Sequence, residues 1–224
     1  MARDIGKPVL IAIATGFAGM TYLMRRYIPK LTEYVEECHS ICTQHEFRQH
    51  AAMSNVMLSY AYSHRGDHSR ATAMAEDGLN EKVALGSYIA CPWFCYLAAE
   101  AYVAADQWDK ALEVTRKGID FSSRGAERFF ESENHRMQAL ILAQDPRASW
   151  KQVKVHFDNA LELARSQNAK SLELRSAVSC ARVTNERGDR VRARELLSPI
   201  YDSFTGGFDT PDLKEAKGLL EELD

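Results

Sequence analysis

Along this chain, small and apolar residues return about 40 positions apart, while the charges between them drift. Ala61 and Tyr62 come back as Ala101 and Tyr102. Ala71, Gly78 and Leu79 come back as Ala111, Gly118 and Ile119. Within each block the apolar positions keep helical spacing. The stretch "SWKQVKVHFDNALELA" places Val153, Phe157, Ala160, Leu161 and Ala164 on one stripe. In "GDRVRARELLSPIYDSF", Gly188 is the turn, Ala193 the crossing and Leu197, Ile200 and Tyr201 the stripe. Upstream, "LTEYVEECHSICTQHEF" aligns Leu31, Tyr34, Val35, Cys38, Ile41 and Cys42. A period of this length is that of a helix–turn–helix unit that stacks on its neighbours. The pattern predicts an all-α chain, one helical repeat domain over residues 1–224. First helices are expected at about 8–25, 47–65, 91–105, 126–143 and 169–187, and second helices at about 30–45, 68–84, 107–122, 149–166 and 190–203. The repeats are then 8–45, 47–84, 91–122, 126–166 and 169–203, closed by a capping helix over 211–223.

The repeated residue types have separate tasks. Ala71, Ala111 and Ala193 suit the crossing of two helices, where a larger side chain would push the axes apart. Tyr62 and Tyr102 suit the gap between neighbouring helices. Gly66 ends one first helix, and Asp106 holds the matching place in the next unit. Gly78 and Gly118 cost helix propensity, and close backbone contact with the following unit is the expected compensation. Pro92 fits a first helical turn. In "TGGFDTP", Gly206 and Gly207 break the fifth pair, Thr210 can cap and Pro211 opens the last helix.

Charge and cysteine content narrow the partners. A net charge of −3 and a pI near 6.2 argue against a nucleic-acid binder. Five cysteines, an odd number without a disulfide framework, point to a reducing cytoplasm. Pro8 to Met24 carries no charge, yet its 17 residues are short for a membrane span. It resembles a signal-peptide core, but Asp4 stands in its flank and no A-x-A site follows. A buried helix at the start of the array is the simpler reading, and no membrane partner is expected. A helix apolar nearly all round also leaves a face to cover, so self-association through residues 8–24, with a second copy or a partner on that face, is the alternative role.

The offsets of small, aromatic and small residues resemble the tetratricopeptide (TPR) pattern, with a period nearer 40 than 34. Four stretches resemble more closely the C-terminal tetratricopeptide region of bacterial multidomain proteins that carry a nucleotide cyclase or regulatory ATPase domain upstream. They are "GKPVLIAIATGFAGM", "LSYAYSHRGDHSRATAMAEDGL", "SQNAKSLELRSAVSCARV" and "YDSFTGGFDTPDLKEAKGLLEEL". The resemblance covers roughly residues 6–224. It implies a right-handed α-solenoid of about five TPR-like helix hairpins, and the sensor or scaffold part of a signalling protein. The sequence has no G-x-x-x-x-G-K-[ST] loop and no cyclase domain ahead of the array, so the chemistry of such relatives is not implied.

Candidate chemistry is sparse. Cys38, Cys42 and His45 share one helix face, with His39 and His50 near, as zinc ligands could. Leu31, Tyr34 and Val35 continue that stripe, which favours core positions. Cys91 and Cys95 are not a C-x-x-C pair. Glu131 and Glu133 flank Ser132 but cannot share a helix face, and no nucleophile elbow or H-E-x-x-H motif occurs. Neither catalysis nor a cofactor is expected. Arg175, Arg182, Arg187, Arg190, Arg192 and Arg194 interleave with Glu173, Glu186, Asp189 and Glu195, as on a solvated, salt-bridged helix pair or in a groove for acidic peptide groups. Solenoids bind on the surface lined by their first helices. Counted from the crossings, the outward positions there are Tyr60, His64, Trp93, Tyr96, Glu100, Glu133, Arg136, Arg175, Arg182 and Asn185. They make a candidate groove for a protein or peptide segment, and a non-enzymatic interaction or scaffold module is the expected function.

Overall fold

The computed structural model describes residues 6–125 and 127–224, and among them the regular structure is eleven α-helices. They are α1 (Pro8–Met24), α2 (Ile28–Gln44), α3 (Arg48–Ser63), α4 (His68–Ala84), α5 (Cys91–Ala104), α6 (Trp108–Arg124), α7 (Glu131–Gln144), α8 (Trp150–Ser166), α9 (Lys170–Glu186), α10 (Arg190–Asp202) and α11 (Pro211–Glu222). Helix α7 begins at Glu131, later than the 126 expected, and Ala126 lies outside the described residues. The backbone causes the late start. Phe130 takes a left-handed φ of 62° before α7, just as Ala90 takes 57° before α5.

Packing divides the chain into two compact units, Met1–Glu127 and Arg128–Asp224. In the first, α1 pairs with α2, α3 with α4 and α5 with α6, and first helices also touch in the order α1, α3, α5. In the second, α7 pairs with α8 and α9 with α10, and α11 packs on α9 and α10.

One turn recurs along both units. Arg26, Glu46, Gly66, Gly86 and Asp106 all have positive φ, spaced every twenty residues, and Asn168 and Gly188 repeat the interval. At each, the helix closes with a six-to-one hydrogen bond, such as Tyr27 N–H to Tyr22 O at 2.9 Å and Asp67 N–H to Tyr62 O at 3.0 Å. That is a Schellman cap, which satisfies the last carbonyls and reverses the chain in three residues. Helices of about 17 residues and turns of three therefore set the period seen in the sequence. The starts are capped too. The Asp67 side chain accepts from Arg70 N–H, Asp189 from Arg192 N–H, and Ser149 with Gln152 forms a capping box.

The alanines at 71, 111 and 193 are fully buried, as the crossings require. Tyr62 is buried, and its hydroxyl donates to Glu36 at 2.7 Å, tying α3 to α2. Gly78 departs from expectation. A Cβ there would stand 2.6 Å from Val56 Cγ2 and 2.7 Å from the Ala52 carbonyl oxygen, both on α3. The close approach is thus to the first helix of its own hairpin and not to the following unit. Gly19 of α1 has the same function, because a methyl there would strike Val35 of α2.

Helix α1 is not wholly buried. Ala12, Thr15, Gly19 and Leu23 face the protein, while Phe17 is 64% exposed and Val9, Leu10 and Met24 are also open. Among the described residues, no helix is long and apolar enough to cross a membrane.

Candidate functional site

A concavity in the first unit opens between α4 and α6. These two helices do not pack on each other, whereas α5 packs on both and forms the floor. The cleft encloses about 550 Å³. Leu79, Val83, Val114 and Phe121 supply apolar walls, and Cys91, Cys95 and Tyr102 of α5 lie at the base. The sequence places them there by helical phase. Residues 76, 79, 80 and 83 make one stripe of α4, and 110, 114, 117, 121 and 124 make one stripe of α6.

The rim is charged and internally paired. Lys110 reaches across from α6 to Glu76 of α4 at 3.0 Å, Lys117 pairs with Glu113 at 2.7 Å and Arg124 with Asp120 at 2.8 Å. Lys110 also sits over the Tyr102 ring, 5.6 Å from its centroid. Forty residues upstream, Arg70 covers Tyr62 at 3.9 Å in the same way. Glu36, Tyr62 and Arg70 thus foreshadow Glu76, Tyr102 and Lys110. At the other end of the cleft, the Tyr88 and Phe121 rings approach to 5.7 Å. The residues forty earlier, Arg48 and Glu81, form an ion pair of 2.7 Å.

Burial sets the protonation of the groups at the base of the cleft. Burial, helped by the Glu76 and Glu113 carboxylates, pushes the Tyr102 phenol up to about 12. Burial also raises the Cys91 and Cys95 thiols, which keeps them protonated and weakly nucleophilic. Behind them Lys82 of α4 is fully buried, with its ammonium donating to Ile89 O at 3.0 Å and lying over the Phe94 ring. Burial lowers its pKa. Glu127 accepts from Ala90 N–H at 2.9 Å. Lys82 and Glu127 together pin the loop that carries Tyr88 to the mouth.

The ten first-helix positions fare differently. Tyr60, Trp93, Tyr96, Glu133 and Arg136 are buried, so the outward placement expected of them does not hold. The helical phase marks a side of the helix without revealing what covers it. His64 is exposed, and Glu100 and Asn185 are half-buried. Glu133 and Arg136 form a bidentate pair at 2.9 and 3.1 Å, and Arg136 also reaches Ser179 of α9. Arg175 and Arg182 are held by the capping helix, through Asp212 at 2.9 Å and Glu215 at 3.1 Å. Arg190 donates to Leu223 O, and Arg194 pairs with Asp224. The basic fifth hairpin is therefore a clamp on α11.

The remaining candidates are core features. Cys38 and Cys42 lie 3.9 Å apart in the α1–α2 seam, where burial pushes the Cys42 thiol up to about 12. His45 is exposed. All five cysteines are free thiols. In the second unit His135 of α7 and His156 of α8 meet Nδ1 to Nδ1 at 3.1 Å. Burial, reinforced by His156, lowers His135 to about 4.

Comparison with known proteins follows this geometry. Residues 92–117, which cover α5 and the first half of α6, match the tetratricopeptide repeat model. No curated protein matches the chain. Among solved structures the chain is similar to the TPR-like repeats of a putative kinesin light chain from Podosopora anserina, with 16% identity, a TM-score of 0.52 and coverage of 93% of this chain and 94% of that one. A variant of that protein gives 17% identity, a TM-score of 0.53 and coverage of 84% and 91%. Yeast Tom70 gives 12% identity and a TM-score of 0.56 over 98% of this chain, which spans 40% of Tom70. Identities this low carry the fold alone. With the repeat match and the helix pairs of both units, they make this chain an all-α protein of tetratricopeptide-like helical hairpins.

Proposed function

We propose that the chain is a non-catalytic interaction module that holds a segment of a protein partner, as the recognition part of a larger assembly or signalling system. Stacked helical repeats commonly serve this end. The observation that carries the reading is the α4–α6 cleft, a groove with apolar walls and a polar rim, the usual make-up of a binding site. Its thiols and phenol are held in their protonated forms, which supports recognition over catalysis. The test is selection of displayed peptides on the whole chain, followed by affinity measurement on Leu79→Arg and Val83→Arg. Selected peptides should weaken about tenfold or more on both variants, with melting curves unchanged, and should keep their affinity on His64→Ala and Arg182→Ala. Peptides that bind the two cleft variants as tightly as the parent would overturn the assignment.

A second reading rests on α1. Phe17, Val9 and Leu10 are apolar and exposed on a helix that carries no charge, the kind of surface that pairs with another. We infer that a second copy of the chain covers it. Sedimentation should then show a dimer that Phe17→Glu dissociates; a monomer at micromolar concentration in the parent protein would dismiss this reading.

A further inference from the structure

Helix α11 is held on α9 and α10 by complementary charge and a short apolar stripe. The four bonds of the clamp all run one way. The donors are Arg175 and Arg182 of α9 and Arg190 and Arg194 of α10, and the acceptors are Asp212, Glu215, the Leu223 carbonyl and Asp224. Leu213, Ala216, Leu219 and Leu223 share one core with Ala177, Ala181 and Leu197. The two helices therefore offer an apolar seam edged with four arginines. Such a face suits an amphipathic helix that carries carboxylates beside its apolar stripe.

The helix that occupies this face is weakly built. Gly218 stands inside α11, where glycine lowers helix stability, yet nothing lies within 4 Å of a Cβ there. No close approach requires this glycine, in contrast to Gly19 and Gly78. Twelve residues are also too few for a helix to persist alone in water. The segment 203–210 that joins α11 to α10 contains Gly206 and Gly207 and is largely exposed. Among the described residues of its unit, α11 packs on α9 and α10 alone. Its detachment leaves the α7–α8 and α9–α10 pairs in place.

The same facts select the occupant that replaces it. The α11 of a second copy would make the same contacts and no better ones, with the added cost of association. The tethered α11 competes at an effective concentration on the order of mM. A helix of a different protein prevails by carrying a stronger helix former at the position of Gly218. We propose that α11 is a detachable lid, and that the α9–α10 face beneath it docks an acidic amphipathic helix of a partner protein. This face lies in the second unit and does not depend on the α4–α6 cleft.

The test uses the full chain. Native-state hydrogen exchange should show α11 opening while α9 stays protected, with α11 amides at least about tenfold faster. Gly218→Ala should slow α11 exchange about two- to fivefold and leave α9 unchanged. In trans, a fluorescein-labelled peptide of sequence 211–224 carrying Gly218→Ala should prefer the Asp212→Arg/Glu215→Arg chain, whose own α11 is loosened. Its affinity there should exceed that for the parent at least about tenfold, and should fall severalfold between about 50 and 500 mM salt. The same peptide with Asp212→Arg and Glu215→Arg should bind about tenfold more weakly. Exchange of α11 in step with α9 in the parent would overturn the lid. Equal peptide binding by parent and variant, or equal binding of the reversed-charge peptide, would overturn the docking face. A parent dimer that Phe17→Glu leaves intact and Leu219→Glu dissolves would give the face to a second copy's α11 and overturn the assignment to a partner.

Discussion

Replacing Gly78 by alanine sets two physical effects against each other. Alanine is the better helix former, and the gain at an unhindered interior site is about 1 kcal/mol. At Gly78 the new methyl would lie 2.6 Å from Val56 Cγ2, 2.7 Å from Ala52 O and 3.0 Å from Asn55 Cβ. Carbon contacts are optimal near 3.5–4.0 Å, so α3 and α4 would have to part by about 1 Å. Val56 can turn, but the Ala52 oxygen belongs to the backbone of α3 and cannot yield alone. Overpacking of this kind costs about 1–3 kcal/mol. The sum is a net loss of up to about 2 kcal/mol, or a fall of up to roughly 4–8 °C in the midpoint for a chain of this size. Gly218 of α11 supplies the control, because nothing lies within 4 Å of a Cβ there. Gly218→Ala should gain about 0.5–1 kcal/mol. Thermal and urea unfolding followed by circular dichroism would measure both. A Gly78→Ala protein that gains the roughly 1 kcal/mol of an unhindered site, as Gly218→Ala should, would refute the tight crossing.

Other perturbations probe the turns, the cap and the histidine pair. Gly188 has a φ of 90° and open space around a Cβ, so Gly188→Ala should cost about 1 kcal/mol from backbone strain alone, while Glu46→Gly should leave stability equal or higher in the same urea titration. Arg175→Met removes the partner of Asp212, and hydrogen exchange should rise first in α11, with little change in α1–α6. His135 has a folded pKa of about 4 against an ordinary 6.5, so the unfolded chain binds the proton first as pH falls. Stability is full above about pH 6.5 and declines toward pH 4, by on the order of 3 kcal/mol. His135→Leu should flatten that slope in urea titrations at stepped pH, and an unchanged slope would contradict the buried neutral imidazole.

Much of the fold was readable because its turns are chemical punctuation. Gly66, Gly188 and the "TGGFDTP" stop lie where the helices end, and the small residues at 71, 111 and 193 lie in the crossings. The late start of α7 was hidden, because Phe130 is an improbable residue for a left-handed φ. Gly78 announced a close approach but not its partner, since a small residue can face either neighbour of its helix. The site was less legible. Tyr60, Trp93 and Tyr96 looked like binding aromatics and are buried, because periodicity gives a direction and not a neighbour. Arg175 and Arg182 meet Asp212 and Glu215 from over thirty residues away, and no local pattern encodes such a pairing. The cleft did leave a trace. Tyr88 and Phe121 break the charged pattern set by Arg48 and Glu81, and an alignment of the chain with itself at a shift of forty would have exposed them.

Within each unit, a helix touches only those one or two places away in the chain. Contacts of this kind close short loops, so each hairpin can form without waiting for distant segments, and collapse should be quick. Damage should stay equally local. A harmful substitution in one hairpin loosens its neighbours and fades beyond them, so such a chain can gain, lose or reshape one repeat, as at Tyr88 and Phe121, without renegotiating the rest.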